Sequence, residues 1–144
     1  MIMSAMLPHQ SSPQELEFHL RQVVDSVPTA LFMLDESHAV THWNLACERL
    51  TKIGAERMVG WRDVWRVFHL QPRPLLANVV IDGAGDEVMR GLFGDGVRAS
   101  TEVTGGWEVV SYSEVLGRRL LIAAAPILDL GGRVVGALQT AREV

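Results

Sequence analysis

The strongest constraint on the fold lies near the C-terminus. There Arg119 to Leu128 runs almost continuously apolar through Leu-Leu-Ile-Ala-Ala-Ala, and Asp129-Leu-Gly-Gly132 leads into a further stretch, Arg133 to Thr140. An apolar run bounded by turn residues reads as a buried strand, and the short glycine turn pairs it with the next one in antiparallel fashion. Trp107 to Tyr112 supplies a strand just before them. Three strands in succession make a sheet, and the rest of the chain has to cover it.

Upstream, Ser12-Pro13-Gln14-Glu15 has the spacing of a capping box with proline at the first helical position. Leu16, Leu20, Val23, Val24 and Val27 then recur on one face, which predicts an amphipathic helix from Pro13 to about Ser26, stopped by Pro28. Thr29 to Asp35 and Ala39 to Trp43 read as a hairpin. Asn44 can cap a helix with Leu45, Ala46, Leu50 and Ile53 on its buried side, and Ala55 to Met58 gives one more turn. Helical segments follow at Arg62 to Phe68, Pro74 to Ile81 and Asp86 to Phe93, with a glycine-punctuated loop from Gly94 to Gly106. The expected class is α+β: a five-stranded antiparallel sheet with short helices on one face and an N-terminal amphipathic helix. Its natural cavity lies between sheet and helices.

A length of 144 residues suits one domain, expected over 13–144 behind a flexible tail at 1–12. The formal charge of −4, with 13 basic and 17 acidic residues and no basic run, gives no footprint for nucleic acid or an anionic membrane surface. Cys47 is the single cysteine, so an internal disulfide is impossible and a Cys-based zinc site has no support. The expectation is a cytoplasmic chain without a signal peptide or membrane span. No nucleophile elbow or phosphate-cradling glycine motif is present, so the chain is not expected to be an enzyme.

The least generic stretch is Trp61 to Gly83, which gathers two tryptophans, Phe68, His69 and two prolines. Together with Trp61, Trp65, Phe68, Leu75, Leu76, Val79 and Val80, it predicts an apolar cavity wall that holds one histidine.

The order of elements and several short motifs resemble a PAS sensor domain over about residues 17–143. The matching residues are Val27-Pro28-Thr29-Ala30-Leu31 with Leu34-Asp35, Thr41-His42-Trp43-Asn44, Ala46 to Thr51, Met58-Val59-Gly60, Ala125-Pro126-Ile127 and Gly132 to Gly136. Gly60, Trp65, Phe68, Arg73-Pro74, Leu76-Ala77 and Ile81-Asp82-Gly83 are further similar to a bacterial PAS subgroup. That subgroup stands at the front of histidine kinases, chemoreceptors and cyclic-dinucleotide enzymes, and usually has tyrosine where this chain has His69. Haem-binding PAS domains place an iron-ligating histidine in the helical wall of the pocket.

The resemblance therefore implies haem b held by His69 against Trp65, Phe68, Leu76 and Val80, with Met89 as second axial ligand; a core-filling role competes for Met89. Arg62, Arg66, Arg73, Arg90 and Arg98 are candidates for the propionates. A diatomic gas (CO, O₂ or NO) or a redox change would be the signal. The chain would be a homodimer joined through the helix at 13–26, relaying to an output domain outside the sequence: DNA-binding, kinase, chemoreceptor or cyclic-dinucleotide enzyme. The alternative is a haem-free PAS domain that binds a small organic ligand or only dimerises. Cys47 is expected to be a partly buried helix residue and His42 to face solvent, while His19 and His38 carry no expected role.

Overall fold

The computed structural model describes residues 12–101 and 103–144. The predicted tail lies outside them but for Ser12, which caps the first helix, α1 (Pro13–Ser26). Its hydroxyl accepts from the Glu15 N–H at 3.1 Å, and Pro13 stands where a helix has no intrahelical donor to lose. Strands β1 (Ala30–Asp35) and β2 (Val40–Trp43) form the expected hairpin. Asp35 Oδ1 closes its turn by accepting from the backbone N–H groups of Ser37 and Ala39 at 2.9 and 3.1 Å. The Ser37 hydroxyl, also bonded to that oxygen, is the main cause that holds the Asp35 carboxyl below the usual carboxylate range.

Helices α2 (Leu45–Thr51), α3 (Ala55–Met58), α4 (Trp65–Phe68), α5 (Leu76–Ile81) and α6 (Asp86–Phe93) lead to strands β3 (Arg98–Ala99), β4 (Trp107–Ser113), β5 (Arg118–Leu128) and β6 (Val134–Glu143). The sheet order is β2-β1-β6-β5-β4-β3, with every neighbouring pair antiparallel. The α+β expectation holds, with six strands instead of five. The added strand, β3, is a two-residue edge piece inside the predicted loop, where an Arg98–Glu108 ion pair reinforces its pairing with β4. Two residues are too few to show a periodicity.

The core lies between one sheet face and helices α2 to α6. Ala30, Phe32 and Leu34 of β1, Ala137 and Ala141 of β6, and Leu120, Ile122 and Ala124 of β5 meet Cys47, Met58, Val67, Phe68, Leu76 and Val80. β6 passes so close to β1 that a Cβ on Gly136 would stand 2.3 Å from the Leu34 carbonyl oxygen, so only glycine fits there. Leu45 is a correction to the expected buried face of α2. With Asn44 at the cap, the first turn directs Ala46 and Cys47 inward and leaves Leu45 exposed. The prolines at 72 and 74 keep the chain extended between α4 and α5, so α5 starts at Leu76, two residues later than the sequence predicts; α4 ends at Phe68 as expected but starts at Trp65 instead of Arg62.

Asn44 joins three parts of this frame. Fully buried, it accepts from the N–H groups of Leu31 and Cys47 at 2.9 and 2.8 Å, and its amide donates to the carbonyls of Val24, Val27 and Thr29 at 3.0 to 3.2 Å. The end of α1, the start of β1 and the start of α2 thus share one side chain. The rest of α1 stands away from the core: Leu16, Phe18, Leu20 and Val23 are exposed.

Candidate functional site

His69 sits just after α4, where the backbone has become extended, and its N–H still closes the helix onto the Trp65 carbonyl at 2.8 Å. Its side chain is only 7 % exposed. The ring Nδ1 lies 2.7 Å from Glu114 Oε2, at the turn between β4 and β5. Two more contacts bind the same segment to that turn: the Phe68 carbonyl accepts from the Ser113 hydroxyl at 2.6 Å and from the Val115 N–H at 3.4 Å. The Glu114 carboxyl is held below its usual range by its own backbone N–H first and by the His69 ring second, with Arg73 adding a favourable charge.

Behind this junction lies a cavity lined by Phe68, His69, Arg73, Leu75, Leu76 and Phe93 on the helical side and by Val109, Ser111, Leu120, Ile122 and Gln139 of the sheet. Its volume of about 20 Å³ is room for one or two waters. Gln139 stands on β6 between Ala137 and Ala141, on the face that carries the apolar core, and is 1 % exposed. Its Oε1 accepts from the Ala77 N–H at 2.9 Å, which docks α5 on the sheet.

The structure brings together three of the six predicted site residues: His69, Phe68 and Leu76 line the cavity. Val80 and Met89 are buried in the core without lining it, which matches the core-filling role weighed for Met89. Trp65 is half-buried, with the Arg66 guanidinium 5.1 Å over its ring, and Trp61 is exposed, so neither tryptophan forms the expected wall. Among the arginines weighed, Arg73 alone lines the cavity. Arg62 bonds the Ser37 carbonyl and Arg98 pairs with Glu108.

His42 is a second correction. Its side chain is largely buried, with Nε2 3.1 Å from Glu17 of α1 and Nδ1 3.0 Å from the Thr41 hydroxyl, because α1 lies along that edge of the sheet. Cys47 is 1 % exposed, deeper than expected, and burial pushes its thiol far up. His38 contacts Asn78 at 2.8 Å and Asp82 at 3.3 Å.

Haem fits this site in donor chemistry but not in volume. With Nδ1 engaged by a carboxylate, the His69 ring has the orientation that frees Nε2 for a metal. A pocket for a ligand of that size needs several hundred Å³ (roughly 300–1,000 Å³ for drug-sized molecules), far above what the cavity offers. Among the described residues no group of three His, Cys, Asp or Glu side chains could hold a metal ion, and no helix is long and apolar enough to cross a membrane.

Sequence reasoning missed Gln139 and Glu114. Gln139 had a signal: a polar residue in register with buried alanines on a core-facing strand. Glu114 had none, because its partner is 45 positions away.

The family model described as the PAS fold matches residues 19–69, and no curated protein matches the sequence. Among solved structures, the PAS domain of Bordetella pertussis BvgS aligns with a TM-score of 0.54 at 15% identity, over 90% of this chain and 85% of that one. The PAS domain of an HTR-like protein from Haloarcula marismortui gives 0.54 at 14% identity, over 91% and 93%. That of nitrogen regulation protein NR(II) from Vibrio parahaemolyticus gives 0.51 at 16% identity, over 87% and 97%. The sheet order, the helical layer on one face and these likenesses establish that this chain has the PAS fold.

Proposed function

We propose that the chain is a sensory input module of a signalling protein, in which a small organic ligand enters the cavity behind His69. The observation that carries this reading is the junction at the cavity's edge. Among the described residues, three hydrogen bonds hold the segment that bears His69 to the β4–β5 turn, from Phe68 and His69 to Ser113, Glu114 and Val115. A ligand that strengthened or broke those contacts would shift the turn, and with it β5 and β6. Signal would leave through α1 or the end of β6 to an output domain outside this sequence. The likeness to the PAS domain of a nitrogen regulation protein supports a regulatory rather than catalytic role. The single reduced cysteine, buried among apolar residues, suits a cytoplasmic setting.

A second reading, haem b on His69 sensing a diatomic gas, is favoured by the Nδ1–Glu114 contact alone. It requires the wall of α4 and α5 to move outward. Native mass spectrometry and the optical spectrum of protein expressed with ample haem decide between the two. The small-ligand reading predicts a colourless protein that gains thermal stability with particular small molecules. A Soret band that shifts under CO and disappears in His69→Ala would overturn it in favour of haem.

A second copy of the chain is the proposed cover for Leu16, Phe18, Leu20 and Val23 on α1 and for Val110 and Tyr112 on the outer sheet face. Sedimentation equilibrium should then show a dimer that Phe18→Glu weakens; a monomer at every concentration rules it out.

A further inference from the structure

The polar groups that line the cavity are mostly donors. Arg73 brings a guanidinium, half-exposed, with its Cζ 6.0 Å from the Phe93 ring centroid and no carboxylate within ion-pair distance among the described residues. The Gln139 amide is oriented unambiguously, because the Ala77 N–H can only donate and so must face the oxygen. That leaves the NH₂ of a 1 % exposed residue without a protein partner among the described residues. Every fully buried side-chain nitrogen and oxygen among those residues is hydrogen-bonded. The Gln139 NH₂ therefore has surface of its own, and that surface opens onto the cavity that Gln139 lines. Ser111 adds a half-buried hydroxyl that also has no partner among the described residues.

Acceptors are scarce by contrast. No aspartate or glutamate lines the cavity, the Ser113 hydroxyl is spent on the Phe68 carbonyl and the Leu116 N–H, and Glu114 Oε2 is engaged by His69, which leaves the Ser111 hydroxyl oxygen and the neutral His69 Nε2 as the side-chain acceptors of the lining. The remaining wall is apolar: Phe68, Leu75, Leu76, Phe93, Val109, Leu120 and Ile122.

We propose that the ligand is a short organic acid, its carboxylate bound by Arg73 and the Gln139 NH₂ and its alkyl part laid against Phe68, Leu76 and Phe93. A carboxylate has no hydrogen to donate, so it complements a donor-rich site, and an arginine is the side chain best matched to its two oxygens. The enclosed volume, room for one or two waters, is smaller than even acetate, so the wall must move outward to admit the acid, and the shortest acids need the least movement. The class of ligand rests on the reading of the cavity as a ligand site, and the following experiment separates the two.

Acetate and propionate are titrated against acetamide and propionamide, shape-matched and uncharged, while the side-chain NH₂ signal of Gln139 is followed by ¹H–¹⁵N NMR. The acids should move that signal saturably, the amides should not, and Arg73→Gln should weaken the acids about tenfold or more. Gln139→Glu keeps the acceptor for Ala77 and replaces the donor with a charge, so it should abolish binding. Should that variant fail to fold, Arg73→Gln, at a half-exposed position, decides. Equal shifts from acids and amides would overturn the carboxylate class and leave the cavity a ligand site. Absence of any shift at Gln139 with either class would overturn both.

Discussion

Two corners of this domain use a buried side-chain amide to hold a helix to the sheet, and they use it differently. At Asn44 every hydrogen-bonding atom is consumed by backbone: two N–H groups on the oxygen, three carbonyls on the nitrogen. At Gln139 the oxygen docks α5 through Ala77 and the nitrogen opens onto a cavity. A fully satisfied buried amide has one low-energy arrangement and makes a rigid joint, whereas one with a free donor still has an interaction to gain. The comparison separates a frame, where α1, β1 and α2 meet, from a site, where α5, the His69 segment and the β4–β5 turn meet.

Removing each amide is the most forceful way to break this comparison. Asn44→Leu strands the Leu31 and Cys47 N–H groups and the Val27 and Thr29 carbonyls, and should lower unfolding stability by about 4 kcal/mol. Gln139→Leu strands one N–H and makes that part of the cavity wall apolar, so its loss should be about 1–2 kcal/mol. Urea unfolding with an unchanged m-value measures both. Equal losses would mean that the two amides are structural in the same way.

A smaller effect concerns the junction itself. The Glu114 carboxyl titrates lower in the folded chain than its ordinary value of 4.5, so the unfolded state binds the proton first. Its contribution to stability is therefore present above that value and lost as pH falls through the depressed folded one. Glu114→Gln should be slightly less stable than the parent at neutral pH, with the gap closing as pH falls below the ordinary value of 4.5 and through the depressed folded one. A gap that persists unchanged at low pH would assign the loss to something other than the His69 contact.

The frame was legible in the sequence because its signals are local. The capping box at Ser12 to Glu15, the Asn44 cap and the helix at Asp86 to Phe93 each follow from residues within a few positions of one another. The site was legible only in part. A run of aromatic and aliphatic residues predicts that a wall exists, and Phe68, His69 and Leu76 do line the cavity. Which residues face it depends on the four-residue turn of α4, which buries Val67 and Phe68 and leaves Trp65 half-buried, while Trp61 precedes it and is exposed. The contacts of His69 with Glu114 and of Ala77 with Gln139 span 45 and 62 positions and exist only once the sheet has formed.

Amide hydrogen exchange at the two corners, with and without propionate, tests the account most directly. The Leu31 and Cys47 amides, held by Asn44, should exchange only through global unfolding and ignore the acid. The Ala77 and Val115 amides, held by Gln139 and the Phe68 carbonyl, should exchange faster in the free protein and slow when propionate binds. Equal protection at both corners, unchanged by the acid, would contradict the division between frame and site.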